Sequence, residues 1–339
     1  MGRPVQPLSY RDQKRYTGST DQLYSVRRLQ LSEGGGDQMR LIDVKTAGGL
    51  QALFLESRAL DLYELRYKGV NIGFASKNGL LSGRVMPGCD AFASSWPGGM
   101  LATCGLRNTG PACEHDGEVH PVHGQIGAMP AEQVGIQLDP EAGTLTLTGQ
   151  MRESALFGHN LVLKRKLTLP LFGASIHWED TVQNEAAEPE PLFLLYHFNF
   201  GHPFLGPELQ MQFAPGEVIP RTEAAAGGLA EHDLISEPVD GCPEQVFFHL
   251  PLPGSKPEEN VRLVRPDLRM AASLTWQRSE LPWLVQWKSM KSGDYALGIE
   301  PSTSRIRGRE QELLAGYDQI IKPYDTWQFH LRLEMESLD

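Results

Sequence analysis

The segment WQFHLRLEM, Trp327–Met335, decides the fold class. Trp327, Phe329, Leu331, Leu333 and Met335 alternate there with Gln328, His330, Arg332 and Glu334. Successive side chains of an extended chain point to opposite faces, so period two predicts a strand with one apolar and one solvated face. A helix would scatter the same apolar residues around its circumference. Outward from this segment the pattern recurs. Leu161, Leu163, Leu167 and Leu169 alternate, as do Ile176, Trp178 and Val182. Further strands are predicted at Leu41–Thr46, Leu50–Glu56, Thr144–Met151, Leu192–Phe200, Gln245–Leu250, Met270–Gln277, Trp283–Lys288 and Tyr295–Glu300. Helical signals are confined to Arg309–Leu314 and Ala224–His232, neither with a long apolar stripe. Thirty-five glycines and twenty-four prolines break the chain into these short pieces. Many short strands between turn signals predict an all-β fold of stacked antiparallel sheets.

Composition narrows the function. At 339 residues and 40% hydrophobic content a sizeable core can be buried. A formal net charge of −11 argues against an extended phosphate-binding surface, so no nucleic-acid partner is expected. Cys89, Cys104, Cys113 and Cys242 form no CxxC pair, which fits reduced thiols. The N-terminus lacks the apolar run of a signal peptide, and no segment approaches the ~18 apolar residues of a membrane helix. A soluble, cytoplasmic protein without a membrane partner is the expectation. No composition shift divides the chain, so residues 1–339 are read as one domain, with 1–40 as lead-in strands and loops. NEAAEPEP, Asn184–Pro191, reads as a connecting loop. Oligomeric state stays open, and a homo-oligomer is compatible with the sequence.

Three segments could carry chemistry. HPVHG, His120–Gly124, places histidines in a glycine-bearing loop. Together with His115 they invite a zinc reading, but no HExxH-type carboxylate motif accompanies them, so no metal is expected. YHFNFGHP, Tyr196–Pro203, puts His197 in an apolar, aromatic strand. A buried imidazole without a partner costs on the order of 1–3 kcal/mol, so His197 needs a partner or a cavity. Asn199, two residues on, shares its face. LGIEPST, Leu297–Thr303, ends an apolar strand on Glu300, where desolvation would raise proton affinity as a general base requires. The ordinary alternatives are a histidine bonded to backbone and a solvated strand-end glutamate. Trp287 and Lys288 are weaker pocket candidates, an aromatic to stack on a sugar face and a donor to its hydroxyls. Arg58 and Asn108 are weaker still.

The order of these segments resembles the aldose 1-epimerase (galactose mutarotase-like) superfamily, most closely an uncharacterised epimerase-like branch. The resemblance is carried by SRALDLYELRYKG (57–69), GGMLATCGLRNTG (98–110), HPVHG (120–124), DTVQN (180–184), YHFNFGHP (196–203) and LGIEPST (297–303). It implies an antiparallel β-supersandwich and a cofactor-independent mutarotase acting on a free sugar. It also implies His197 as general acid, Glu300 as general base and His123 as a hydrogen-bonding partner of the sugar. The two catalytic groups are expected to face each other across a space one sugar ring wide. The superfamily's Asn-Arg pair before its first histidine is missing here, which leaves Arg84 and Arg107 as candidates to grip the sugar, with Arg84 preferred. A non-catalytic carbohydrate-binding β-sandwich is the rival from another class. A glycosidase would need two carboxylates and a sugar isomerase a metal cluster, and the sequence offers neither.

Overall fold

The structure, a computed structural model, describes residues 9–82, 91–252, 254 and 256–338. Arg84, the preferred candidate to grip a sugar, lies outside the described residues, as does Cys89. Among the described residues the chain builds three larger sheets of five, eight and six strands, with two small two-stranded pairs. Every strand pairing within these sheets is antiparallel.

The opening segment runs as the strand Thr326–Ser337 in the middle of the eight-stranded sheet. It lies between Ser175–Asn184 and Met270–Gln277. Beyond these lie Asn160–Pro170, Thr144–Ser154 and Glu132–Asp139 on one side, and Glu258–Arg265 and Gln210–Gln212 on the other. The inner faces carry the leucines that alternation marked: Leu161, Leu163, Leu167, Leu169, Leu331 and Leu333 are all buried. The six-stranded sheet packs against that face. Its order is Gly216–Pro220, Gln245–Pro251, Trp283–Lys291, Asp294–Ser302, Phe193–Gly201 and Leu101–Leu106. Trp178 of the large sheet meets Phe198 of the smaller one edge to face, ring centroids 5.4 Å apart, a favourable aromatic geometry. The third sheet is N-terminal: Ser25–Gln30, Arg40–Lys45, Leu50–Leu55, Asp61–Tyr67 and Val70–Asn71. One continuous apolar cluster draws on all three sheets, including Phe54, Leu65, Leu163, Trp178, Phe198 and Leu333.

Helices are short, as the sequence indicates. Arg309–Leu314 forms one, and the Ala224–His232 signal resolves into an α-helical turn at Glu223–Gly227 and a 3₁₀ turn at Leu229–Glu231. Two helices carried no sequence signal, Tyr10–Tyr16 in the lead-in and Ala91–Ser95. No helix among the described residues is long and apolar enough to cross a membrane.

A buried ionic knot joins the three sheets. Arg165, with a side chain 0% exposed, donates to both carboxylate oxygens of Asp180, to Asp61, to the Ala59 carbonyl and to the Thr103 hydroxyl. Thr103 donates its backbone N–H and hydroxyl to Asp61, and the Tyr196 hydroxyl donates to Asp180. Thr103 and Tyr196 face each other in the six-stranded sheet, so the knot fixes the strands that flank the candidate site.

Candidate functional site

His197 sits on the wholly buried strand Phe193–Gly201. Tyr196, Phe198 and Phe200 belong to the main core, which turns Leu195, His197 and Asn199 to the opposite face. The next strand, Asp294–Ser302, pairs Phe198 with Ile299 and Leu195 with Ser302. That register brings Glu300 directly opposite His197. Cross-strand neighbours have Cβ atoms about 4.5–5.5 Å apart, so the two side chains meet side by side. His197 Nε2 lies 3.2 Å from Glu300 Oε1. This corrects the expectation of two groups facing across a sugar-wide gap, because residues paired on adjacent strands cannot be so far apart.

The pair is nearly sealed, His197 7% and Glu300 1% exposed. His197 Nδ1 and Glu300 Oε1 have no hydrogen-bond partner; the 3.2 Å approach is close but poorly aligned. Burial drives the two groups in opposite senses. It lowers the His197 pKa to about 3, reinforced by His123 and partly offset by the Asn199 side chain. It raises the Glu300 pKa well above the usual carboxylate value, against the pull of Arg221. Burial thus keeps the imidazole neutral and biases Glu300 toward its protonated form. Gly298 makes room for this arrangement: a Cβ there would stand 2.3 Å from Glu300 Oε1.

Aromatic rings enclose the pair. Trp96 and Trp287 each lie 5.5 Å from the His197 ring, and His123 lies 5.8 Å from it. Phe92 stacks on Trp96 and touches His123. His123 adopts a left-handed backbone, φ 57°, beside Gly124. Its Nδ1 receives a long contact from the Gly110 N–H, 3.4 Å, which leaves Nε2 free to donate. Burial lowers the His123 pKa to about 4, so the ring is neutral at physiological pH.

The other sequence candidates are placed as follows. Trp287 shares the face of Glu300, since it pairs with Gly298. Lys288, one residue on, pairs with Leu297 on the other face and donates to the Glu231 carbonyl at 2.8 Å. It is not brought to the pair. Asn199 lies beside His197 but spends its amide on the carbonyls of Gly99 and His197. Arg107 is buried against Glu118 and Glu190, and so is committed elsewhere. Among the described residues no three His, Cys, Asp or Glu side chains gather to hold a metal ion.

A family model described as "Domain of unknown function (DUF4432)" matches residues 36–335. The chain belongs to the DUF4432 family. No curated protein matches it. Among solved structures, this DUF4432 chain superimposes on a protein from Klebsiella pneumoniae named as a candidate aldose 1-epimerase, with a TM-score of 0.83 at 22% identity, covering 93% of this chain and 86% of that one. It also matches a galactose mutarotase-like protein from Clostridium acetobutylicum, TM-score 0.67 at 16% identity over 94% and 100% of the two chains. A galactose 1-epimerase from Lactobacillus acidophilus gives a TM-score of 0.60 at 11% identity, over 93% and 99%. The fold is thus the galactose mutarotase-like β-sandwich that the sequence resemblance implied.

Sequence reasoning missed Trp96, Phe92 and Arg221. Trp96 had a signal, a large aromatic in SSWPGG next to a turn-forming Pro-Gly-Gly. Arg221 stands alone in an unremarkable loop. Its influence on both Glu300 and His123 is purely spatial.

Proposed function

We propose that this DUF4432 protein is a cofactor-independent sugar mutarotase that interconverts the α and β anomers of a free aldose or related sugar. The observation that supports this best is the His197–Glu300 pair: two buried titratable groups 3.2 Å apart, one biased toward holding a proton and the other toward lacking one. Anomer exchange removes a proton from the C1 hydroxyl and delivers one to the ring oxygen. Both oxygens are bonded to C1, so two groups lying side by side can reach them from one face of the sugar. The ring opens to the aldehyde, the C1–C2 bond rotates, and reclosure on the other face returns each proton.

The proposed exchange keeps one proton on the pair throughout. With the proton on Glu300, the carboxyl protonates the ring oxygen and the neutral imidazole accepts from O1. The roles implied by family resemblance, His197 as acid and Glu300 as base, require the proton to pass to His197 over the short gap first. Either assignment demands one proton on the pair. Trp96 and Trp287 offer apolar faces to the sugar ring, and His123 Nε2–H a donor to a hydroxyl. The test is an NMR saturation-transfer survey of free sugars, in which added protein should speed exchange between anomeric protons of at least one sugar. A protein that binds a sugar yet exchanges it no faster than buffer is a binding module, and the proposal falls.

A further inference from the structure

A cavity of about 270 Å³ opens beside the pair, walled by Arg58, Tyr63, Trp96, Cys104, His123 and Gln125 among others. Trp96 and His123 are shared between it and the pair, since both rings also lie within 6 Å of the His197 ring. A sugar with its anomeric carbon at His197 and Glu300 would therefore extend into this space.

The cavity has one feature unexplained by neutral-sugar binding. Arg58 lines it partly buried, and burial pulls its pKa down despite the opposing charge of Asp61. Among the described residues no hydrogen bond or ion pair reaches its guanidinium. The acids nearby are engaged elsewhere. Asp61 is held by Arg165 and Thr103, and Glu56 faces Arg28 and Arg40. Asp61 acts on Arg58 only at a distance and His123 is neutral, so Arg58 is a cation of this wall without a direct partner among the described residues. The turn that presents Arg58 is strained: Ala59 and Leu60 follow it in the left-handed region, φ 50° and 54°. Two such non-glycine residues cost on the order of 1–3 kcal/mol each and need outside support. Here the Ala59 N–H donates to the Met129 carbonyl, and Arg165 donates to the Ala59 carbonyl.

We infer that this cavity is a subsite for an oxyanion carried by the sugar at the end remote from its anomeric carbon, with Arg58 as the anion's partner. The inference rests on reading His197 and Glu300 as the mutarotation pair. A guanidinium presents parallel N–H donors that match a carboxylate or phosphate, and a partly desolvated one gains most from such a partner. Gln125 and Tyr63 on the same wall can complete the anion's hydrogen bonds.

The test compares matched sets of a neutral aldose, its uronate and its terminal phosphate, for example D-glucose, D-glucuronate and D-glucose 6-phosphate, and the same for other aldoses. Exchange efficiency is read by saturation transfer for the wild type, Arg58→Gln and Arg58→Lys. One anionic form should be preferred over its neutral partner by roughly 10- to 100-fold, the range for a charge-assisted hydrogen bond. Arg58→Gln should bring that ratio close to one, and Arg58→Lys should keep part of it. The uronate and phosphate arms say which anion is taken. A wild-type ratio near one, or a preference that survives Arg58→Gln, overturns the subsite while leaving the mutarotase reading intact. If no sugar is exchanged at all, the mutarotase reading fails, and the subsite is then judged by binding. Uronate or sugar-phosphate binding lost in Arg58→Gln sustains it, and binding indifferent to Arg58 sinks it.

Discussion

Two clusters of buried polar groups lie on opposite faces of the strand Phe193–Gly201, and they are built in opposite ways. On the core face, Arg165, Asp180, Asp61, Thr103 and Tyr196 answer one another's charges and hydrogen bonds, five of those bonds donated by Arg165 alone to side chains. On the pocket face, His197 and Glu300 touch without a well-formed bond and leave Nδ1 and Oε1 unpartnered. Burial alone does not separate them, for both are almost fully enclosed. Satisfaction does. A completed network spends its interactions on holding sheets together, whereas an incomplete pair keeps its lone pairs and its proton for something that enters.

The sharpest way to break the comparison is to remove the centre of the satisfied cluster. Arg165→Ala would leave Asp61 and Asp180 buried without their cation. Breaking a buried ion pair from one side costs about 3–5 kcal/mol. Chemical denaturation should show a loss of that size, and a shift under about 1 kcal/mol would mean that the knot is not what joins the sheets. Next comes Gly298→Ala, which places a methyl where the Glu300 carboxylate now rests. Denaturation should change little while exchange falls on the order of 10²-fold, the effect of displacing a reacting group by about 1 Å. Unchanged exchange would show that the position of Glu300 is not critical.

The unsatisfied pair should also reveal itself in how stability depends on pH. Glu300 has a raised pKa in the folded state, so its contribution is fully present below the unfolded value near 4.5 and is lost as pH rises toward its folded pKa. Glu300→Gln removes that titration. The variant should therefore gain stability relative to wild type as pH is raised from about 4 to 8. A difference that stays flat with pH would place Glu300 in a better solvated setting. The smallest effect is expected at His123. Its Nε2–H offers one neutral hydrogen bond, worth about 0.5–1.5 kcal/mol, so His123→Ala should lower exchange efficiency modestly without collapsing turnover at saturating sugar. A collapse would give His123 a part in proton transfer.

The fold was legible because alternation survives along the longest strands. Asn160–Pro170, Ser175–Asn184 and Thr326–Ser337 enclose the segments that period two marked. Leu101–Leu106 was not predicted as a strand, because LATCGL is too small and glycine-broken to show a period. Glu132–Asp139 escaped as well: it is an edge strand with little buried surface, and its pattern is mostly polar. The ionic knot was visible in principle. Arg165 occupies the apolar phase of Leu161, Leu163, Leu167 and Leu169, and Asp180 that of Ile176, Trp178 and Val182. A charge in the inward phase of one strand and its opposite on another signals a buried pair. For the site, His197, Glu300, His123 and Trp287 are gathered at one place, since each stands out from an apolar or glycine-rich context. Trp96, Arg221 and the unpartnered state of Arg58 depend on how distant segments meet, which no local pattern reports.

The central claim is that the incomplete pair exchanges anomers, and Glu300→Gln tests it most directly. The amide is close to isosteric and can no longer shuttle the proton that the pair shares with the sugar. Saturation transfer should be measured on the wild type and the variant with one sugar that both bind, at saturating concentration. The predicted result is wild-type exchange well above buffer and a loss of about 10²–10⁴-fold in the folded variant. Equal exchange in the two proteins, or wild-type exchange no faster than buffer, would contradict it.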